Sequence, residues 1–387
     1  MPRDLRTSAH LSLRAHGCAA TNRAARRPRP ACCRSRHSAP QAVPDPRWTL
    51  DSIPDQTGRL AVVTGANSGI GYVTARELAR RGAHIVLACR HHERGRHALQ
   101  RLRSEVPDAQ AELRSLDLAD LESIRRFAQD WNHGRLDLLV NNAGIAMVPF
   151  SRTVDGFESQ FGTNHLGTFA LTGLLMPHLL AAADPRVVTV SSEGQRFARF
   201  DMSNLNAERR YRAAFAYVQS KRANLHFAME LQRRAEAAGL GLRSMAVAPG
   251  LTRSNVLTGG ANSTRGRVYG ALTSSLVRIA FRPALEGAKT SLYASTSPGL
   301  PGGSYVVPDG PLQLRGEPVL RTKERAARDT LTAHHLWALS EQLTGVTYPL
   351  PARRAAHQPL TGPEDINSRH VHRPSASPSG GPRRPSP

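Results

Sequence analysis

From Trp48 to Leu350, short apolar runs alternate with longer stretches whose apolar positions recur every three or four residues. Leu60-Ala-Val-Val-Thr64 is an apolar run cut off by Gly65, the pattern of a buried strand. A helical pattern follows through Ala75, Leu78 and Ala79 and closes at Gly82. His84 to Cys89 is the next strand, Ala98 to Leu102 lie in a helix, Ala109 to Leu116 holds a strand, and Asp120 to Trp131 is a helix. Leu136 to Val140, Arg186 to Val190 and Leu242 to Val247 read as strands, separated by long helices over 157–180 and 213–238. Ser304 to Val307 is the last strand and Ala326 to Leu343 the last helix. Strands alternating with helices of this length predict βαβ units and a parallel sheet covered on both faces. Right-handed crossovers then make the class α/β, doubly wound, with seven mainly parallel strands. No linker interrupts 47–350, so one domain is expected there.

Composition changes the picture at the two ends. Residues 1–46 are rich in Arg, Pro, Ala and Ser without apolar periodicity, and 351–387 are rich in Pro, Ser and Arg. Both are expected to be disordered extensions. A transit segment and an upstream start-site artefact remain alternatives for the first. The formal charge of +22 is concentrated in these ends. Of the 52 basic residues only Lys221, Lys289 and Lys323 are lysines, an arginine drift that needs no nucleic-acid partner to explain it. The most apolar stretch, Phe169 to Ala183, is interrupted by Pro177 and His178 and reads as a buried helix, so no membrane span is expected. Three of the four cysteines fall in the first 33 residues, leaving Cys89 without an internal partner. That argues for a reducing, cytoplasmic setting and against a metal site.

The first candidate chemistry lies where the first strand meets the first helix. Thr64-Gly-Ala-Asn-Ser-Gly-Ile-Gly71 sits at that junction, as a phosphate-binding loop must. Gly65 permits the tight turn, Gly69 lets backbone approach a pyrophosphate, and Gly71 lets the helix lie close on the strand. Free amides at the helix start favour the anion. The second strand ends Ala88-Cys89-Arg90, with no acid before Glu93. An acid there would bind the ribose hydroxyls of NAD. Its absence, with Arg90 available to the 2′-phosphate, points to NADP(H).

The second lies on the 213–238 helix. Tyr217 and Lys221 are four residues apart and share a face. A nearby ammonium is expected to lower the phenol's pKa and fit it for general acid/base work. Where arginine fills nearly every basic position, a lysine at this spacing marks a role that a guanidinium does not fill. Ser192 ends the strand Val187-Val-Thr-Val-Ser-Ser192, at the carboxyl edge where open α/β sheets bind ligands.

In order, TGxxxGxG, Asp117, Asn141-Asn-Ala-Gly144, the Thr163-Asn-His-Leu-Gly167 segment, Ser192, Tyr217/Lys221 and Pro249-Gly250 resemble the motifs of the short-chain dehydrogenase/reductase family over about 47–350. The Leu87-Ala-Cys-Arg90 segment and the Ser192–Tyr217 spacing are similar to the branch of retinol dehydrogenases, WW-domain oxidoreductases and light-dependent protochlorophyllide reductases. The resemblance implies a Rossmann-like fold. It also implies an oxidoreductase that interconverts a carbonyl and an alcohol on a small apolar substrate, with C=C reduction an alternative chemistry. Asn164, Ser192, Tyr217 and Lys221 would be catalytic. Asn67, Ser68, Ile70, Asp117, Leu118, Asn142, Ala143, Gly144, Pro249, Leu251 and Thr252 would join the glycines and Arg90 around the cofactor. Asn141 would tie neighbouring backbone together, although Asp117 alone reads equally as a helix cap. Helices 157–180 and 213–238 resemble a dimer-forming pair, and substrate choice is expected in 195–212 and 252–285. The alternative reading is a non-catalytic NADP(H)-binding regulator, which would need only the glycine loop.

Overall fold

The structure, a computed structural model, describes residues 48–197, 199–250, 283–321 and 324–350. The expected extensions 1–46 and 351–387, the cofactor candidates Leu251 and Thr252, and most of 252–285 lie outside the described residues.

The expected strands form one sheet: β1 (Leu60–Thr64), β2 (His84–Cys89), β3 (Ala111–Ser115), β4 (Leu138–Asn141), β5 (Arg186–Val190), β6 (Arg243–Val247) and β7 (Tyr305–Pro308). The order is β3-β2-β1-β4-β5-β6-β7, parallel throughout. The sequence reading of seven strands is short by one. β8 (Pro318–Leu320) pairs antiparallel with β7, Val306 opposite Leu320. Three residues beginning with proline make no apolar run, and proline is tolerated at the start of an edge strand.

Alternating side chains leave the sheet on opposite faces. Val63, Leu87, Val140 and Val188 pack with Leu78 of α1 (Gly69–Arg80) and Leu292 of a helix at Ala284–Thr296. Val62, Val86, Leu139 and Val187 pack with Phe169, Phe227 and Leu231 on the other side. Each fully buried Val or Leu contributes roughly 1.5–3 kcal/mol. The chain turns from one face to the other between β1 and β4. Ligand clefts open at the strand carboxyl ends beside such a reversal.

The helix expected over 157–180 is broken. It begins as a single turn at Ser159–Phe161, capped by the Glu158 carboxylate, which accepts the amides of Gln160 and Phe161 at 2.9 and 2.7 Å. A π-helical stretch, Gly162–Leu166, follows and carries Asn164. Gly167–Leu174 is α-helical, and Met176–Leu180 restarts after Leu175 because Pro177 has no amide to continue the ladder. Apolar periodicity does not register an inserted π turn.

The long helix expected over 213–238 is present as Ala213–Ala237. Its outer face is covered within the chain by the helix Thr330–Thr344 and the residues after it. Trp337 meets Phe169 edge-on at 5.0 Å and stacks on Phe227 at 6.0 Å, and the Tyr348 hydroxyl donates to the Phe169 carbonyl at 2.7 Å. Phe169 and Phe227, of the two helices expected to meet a second copy, are thus covered within the chain.

Candidate active site

β1 ends in the glycine loop. Gly65 and Gly69 take φ of 67° and 57°, and a Cβ on Gly71 would stand 2.6 Å from the Gly65 carbonyl oxygen and closer still to the Asn142 amide. Only glycine lets α1 approach the loop this closely. The helix N-cap, Ser68, makes no side-chain capping bond, so the first amides of α1 keep their donors. Together with Asn67 and Ile70, these residues open one end of a cleft of about 680 Å³.

The cleft runs along the strand ends. Arg90 lines it after β2, joined by His91 and Arg94, which the sequence reading did not single out. Glu93, the first acid after β2, is turned to Arg96 at 2.6 Å. Asp117 and Leu118 line it after β3. Asp117 accepts the Ala119 amide at 3.0 Å, while Asp120 is the residue that caps the next helix, so the cap reading of Asp117 is corrected.

Asn142, Ala143 and Gly144 follow β4 in the same wall. The tie expected of Asn141 belongs to its neighbour. Asn142 donates its side-chain amide to the Thr64 carbonyl at 2.8 Å, whereas Asn141, buried beneath, donates to the Thr172 hydroxyl at 3.0 Å. The Thr64 hydroxyl accepts the amides of Asn142 and Ala143 at 3.0 and 2.9 Å. A threonine ending an apolar strand gave no sequence signal for this role.

The other end of the cleft is chemical. Ser192 follows β5, and Tyr217 and Lys221 reach it from the first turns of the Ala213–Ala237 helix. Ser192 and Tyr217 line the cleft together, and the serine hydroxyl favours the ionised phenol. Ser191, which precedes it, turns inward and donates to the Lys221 carbonyl at 2.7 Å. The Lys221 ammonium is buried and donates to the Val190 carbonyl at 3.1 Å. Burial lowers its pKa to about 8.

Asn164 lies behind the cleft wall. Its Oδ1 accepts the Ile145 amide at 2.8 Å, and its Nδ2 donates to the Ile145 carbonyl and the Ser220 hydroxyl at 2.9 and 2.8 Å. A Cβ built on Gly144 would stand 2.9 Å from Asn164 Oδ1 and 3.2 Å from Lys221 Nζ, so the two polar groups converge on one glycine.

The expectation that Lys221 lowers the Tyr217 pKa is not met. Burial raises the phenol to about 12, the Ser192 hydroxyl draws it back, and the Glu193 carboxylate pushes it further up. With the ammonium held by Val190, the phenol stands protonated at neutral pH. Glu193 is itself a residue the sequence reading passed over, although an acid directly after a strand-end serine was visible. It is 6% exposed and lines the cleft with Pro249, Gly250 and Leu314.

A doubly wound sheet with a dinucleotide-type loop at the switch point, and a helical Tyr-x3-Lys pair facing a strand-end serine, defines a class of oxidoreductase. The chain belongs to the short chain dehydrogenase family, which it matches over residues 59–264. Within that family it is of the retinol dehydrogenase branch. It is 38% identical over 295 residues to retinol dehydrogenase 12 of Mus musculus, covering 75% of this chain and 88% of the relative. It is 38% identical over 303 residues to retinol dehydrogenase 14 of the same organism, covering 75% and 86%. Among solved structures, an uncharacterized protein from Mycobacterium paratuberculosis superposes with a TM-score of 0.65 at 44% identity, covering 78% of this chain and 99% of that one.

Proposed function

We propose that the chain is an NADP(H)-dependent oxidoreductase that interconverts a carbonyl and an alcohol on a small apolar substrate. The observation that carries this reading is the meeting of Ser192, Tyr217 and Lys221, the last two one helical turn apart, in the same cleft as the glycine loop.

The residues present fit a dinucleotide. The close approach at Gly71 and the uncapped start of α1 form a cradle for a pyrophosphate. Arg90, with His91 and Arg94, offers positive charge and no carboxylate where a 2′-phosphate would lie. When bound, the dinucleotide supplies the hydride chemistry. The protein's own part is to orient and to move a proton. Ser192 holds the substrate oxygen. Tyr217, protonated at neutral pH, donates to the developing alkoxide in reduction and accepts the proton back in oxidation. Lys221 places positive charge beside the site, and Asn164 and Ser220 brace the backbone around it.

The apolar substrate class is supported by the mouth of the cleft. Met147, Val148 and Leu314 line it, and Phe150 and Leu312, 47% and 67% exposed, flank it. The names of the retinol dehydrogenases fit such a mouth, and retinol with all-trans-retinaldehyde heads the substrates to try. A reducing, cytoplasmic compartment belongs to the same proposal, supported by Cys89, a buried free thiol. The test is NADPH consumption across a panel of apolar aldehydes and ketones, beginning with all-trans-retinaldehyde. Turnover with NADPH is expected. Tight NADPH binding with no turnover on any carbonyl, alcohol or activated alkene would favour a non-catalytic cofactor-binding regulator instead.

A further inference from the structure

The turn that follows Ser192 reaches two further walls of the cleft. Glu193–Phe197 is a 3₁₀ turn. Its first residue, Glu193, accepts the Gly250 amide at 2.5 Å. Its fourth, Arg196, donates to Gln313 Oε1 at 3.1 Å and to the Leu312 carbonyl at 2.7 Å. Gly250 and Leu314 line the same cleft as Ser192 and Tyr217.

Both targets lie on backbone in the left-handed region, which glycine adopts freely and other residues do not. Gly250 has φ of 73°, and a Cβ there would stand 2.7 Å from the Leu314 carbonyl oxygen. Leu312 and Gln313 are not glycines, yet take φ of 53° and 60°. Side chains clash with their own backbone in that region, and such residues persist only where their surroundings fix them. The bonds from Arg196 fall on these same two residues. Burial pushes the Glu193 carboxyl up to about 7, and its bond to the Gly250 amide pulls the other way, which favours the carboxylate as the acceptor.

We propose that Glu193 and Arg196 are positioning residues, a two-armed clamp that holds the Gly250 wall and the Leu312–Leu314 wall in register with Ser192. The proposal rests on the oxidoreductase reading of the cleft. One arm acts through a buried carboxylate and the other through a guanidinium, so each can be released alone. Neither touches the reacting atoms. Releasing either arm lets a wall drift, and misplacement of the bound carbonyl slows the reaction without disturbing the distant glycine loop.

The test uses the full chain, NADPH and all-trans-retinaldehyde, or the best carbonyl found in the panel, with thermal melts confirming that each variant is folded. Glu193→Ala and Arg196→Ala should each lower kcat/KM for the carbonyl roughly 10-fold or more, while NADPH affinity from nicotinamide fluorescence changes less than about 3-fold. Glu193→Gln keeps an acceptor and should recover most of the loss. Trypsin should cut after Arg315 faster in Arg196→Ala than in the parent, as measured by mass spectrometry. Parent-like kinetics in either alanine variant, or unchanged cleavage after Arg315, overturns the clamp. So does a Glu193→Gln enzyme as impaired as Glu193→Ala, or a loss of NADPH affinity in step with turnover. A parent chain that neither binds NADPH nor turns over a carbonyl sinks the oxidoreductase reading instead, and the clamp is then decided by the Arg315 cleavage alone.

Discussion

Ser192, just after β5, and Tyr217, in the second turn of a helix, line one cleft although 25 residues separate them in the chain. The fold brings the phenol and the serine to the same cleft before any substrate arrives. Burial holds the phenol's pKa near 12, and the serine hydroxyl works against it.

Tyr217→Phe removes one oxygen and little packing. NADPH binding should survive, because the glycine loop is untouched, and turnover should fall by roughly 10²-fold or more, the scale of a positioned acid/base. Lys221→Arg should fail as well, since a planar guanidinium does not fit the buried slot under Val190. Steady-state rates with bound-cofactor titrations check both. A fully active Tyr217→Phe ends the proposed mechanism.

Arg90→Ala should weaken NADPH binding by roughly 10-fold, the scale of one charge-assisted contact, and leave NADH nearly unchanged. Fluorescence titration with each cofactor separates the outcomes. Equal losses would show that Arg90 does not read the 2′-phosphate.

Acid should destabilise the fold before it damages the surface. His165 and His226 are buried, and burial lowers their pKa to about 3 and about 4, against 6.5 for a free imidazole. A depressed pKa gives stability that is present above the unfolded value and lost as pH falls toward the folded one. The loss begins near pH 6.5 and reaches about 2 kcal/mol for each histidine by pH 5. Neither ring nitrogen of His226 has a hydrogen-bond partner among the described residues. Denaturant melts of His226→Phe should therefore lose about 2 kcal/mol less than the parent between pH 7 and 5. An identical pH slope in parent and variant would refute this.

The chain should sediment as a monomer, because Trp337 and Tyr348 already cover Phe169 and Phe227. Trp337→Ala should cost about 3–5 kcal/mol and expose the stripe. A parent dimer at micromolar concentration, seen by analytical ultracentrifugation, would contradict the monomer.

Much of this was legible in the sequence, for physical reasons. Strands buried on both faces are short and wholly apolar, so β1, β2 and β5 stand out, and glycines that no other residue can replace mark the loop after β1. Tyr217 and Lys221 are visible because a lysine is rare in this chain. What stayed hidden depends on contacts between distant segments. Asn141 and Asn142 are adjacent and chemically identical, and only the sheet decides which one reaches Thr64. The pKa of Tyr217 follows from burial and from Glu193, neither of which spacing can supply. The π turn at Gly162–Leu166 keeps helical periodicity nearly intact while rotating Asn164 onto Ile145. The cover over Phe169 comes from Trp337 and Tyr348, far along the chain.

The short antiparallel strand that closes the sheet sets how the protein keeps to itself. β8 is three residues long and begins with Pro318, which has no N–H to offer an incoming strand. An open sheet edge is a template on which another chain can extend the ladder, and a brief, proline-bearing edge is a poor template. The cost of ending the sheet this way is small, because β7, its inner neighbour, is fully buried and already paired on both sides. At high concentration, or while newly made chains crowd one another, this edge resists fibre growth, and replacing Pro318 with a β-branched residue would remove that protection while leaving the cleft on the strand ends intact.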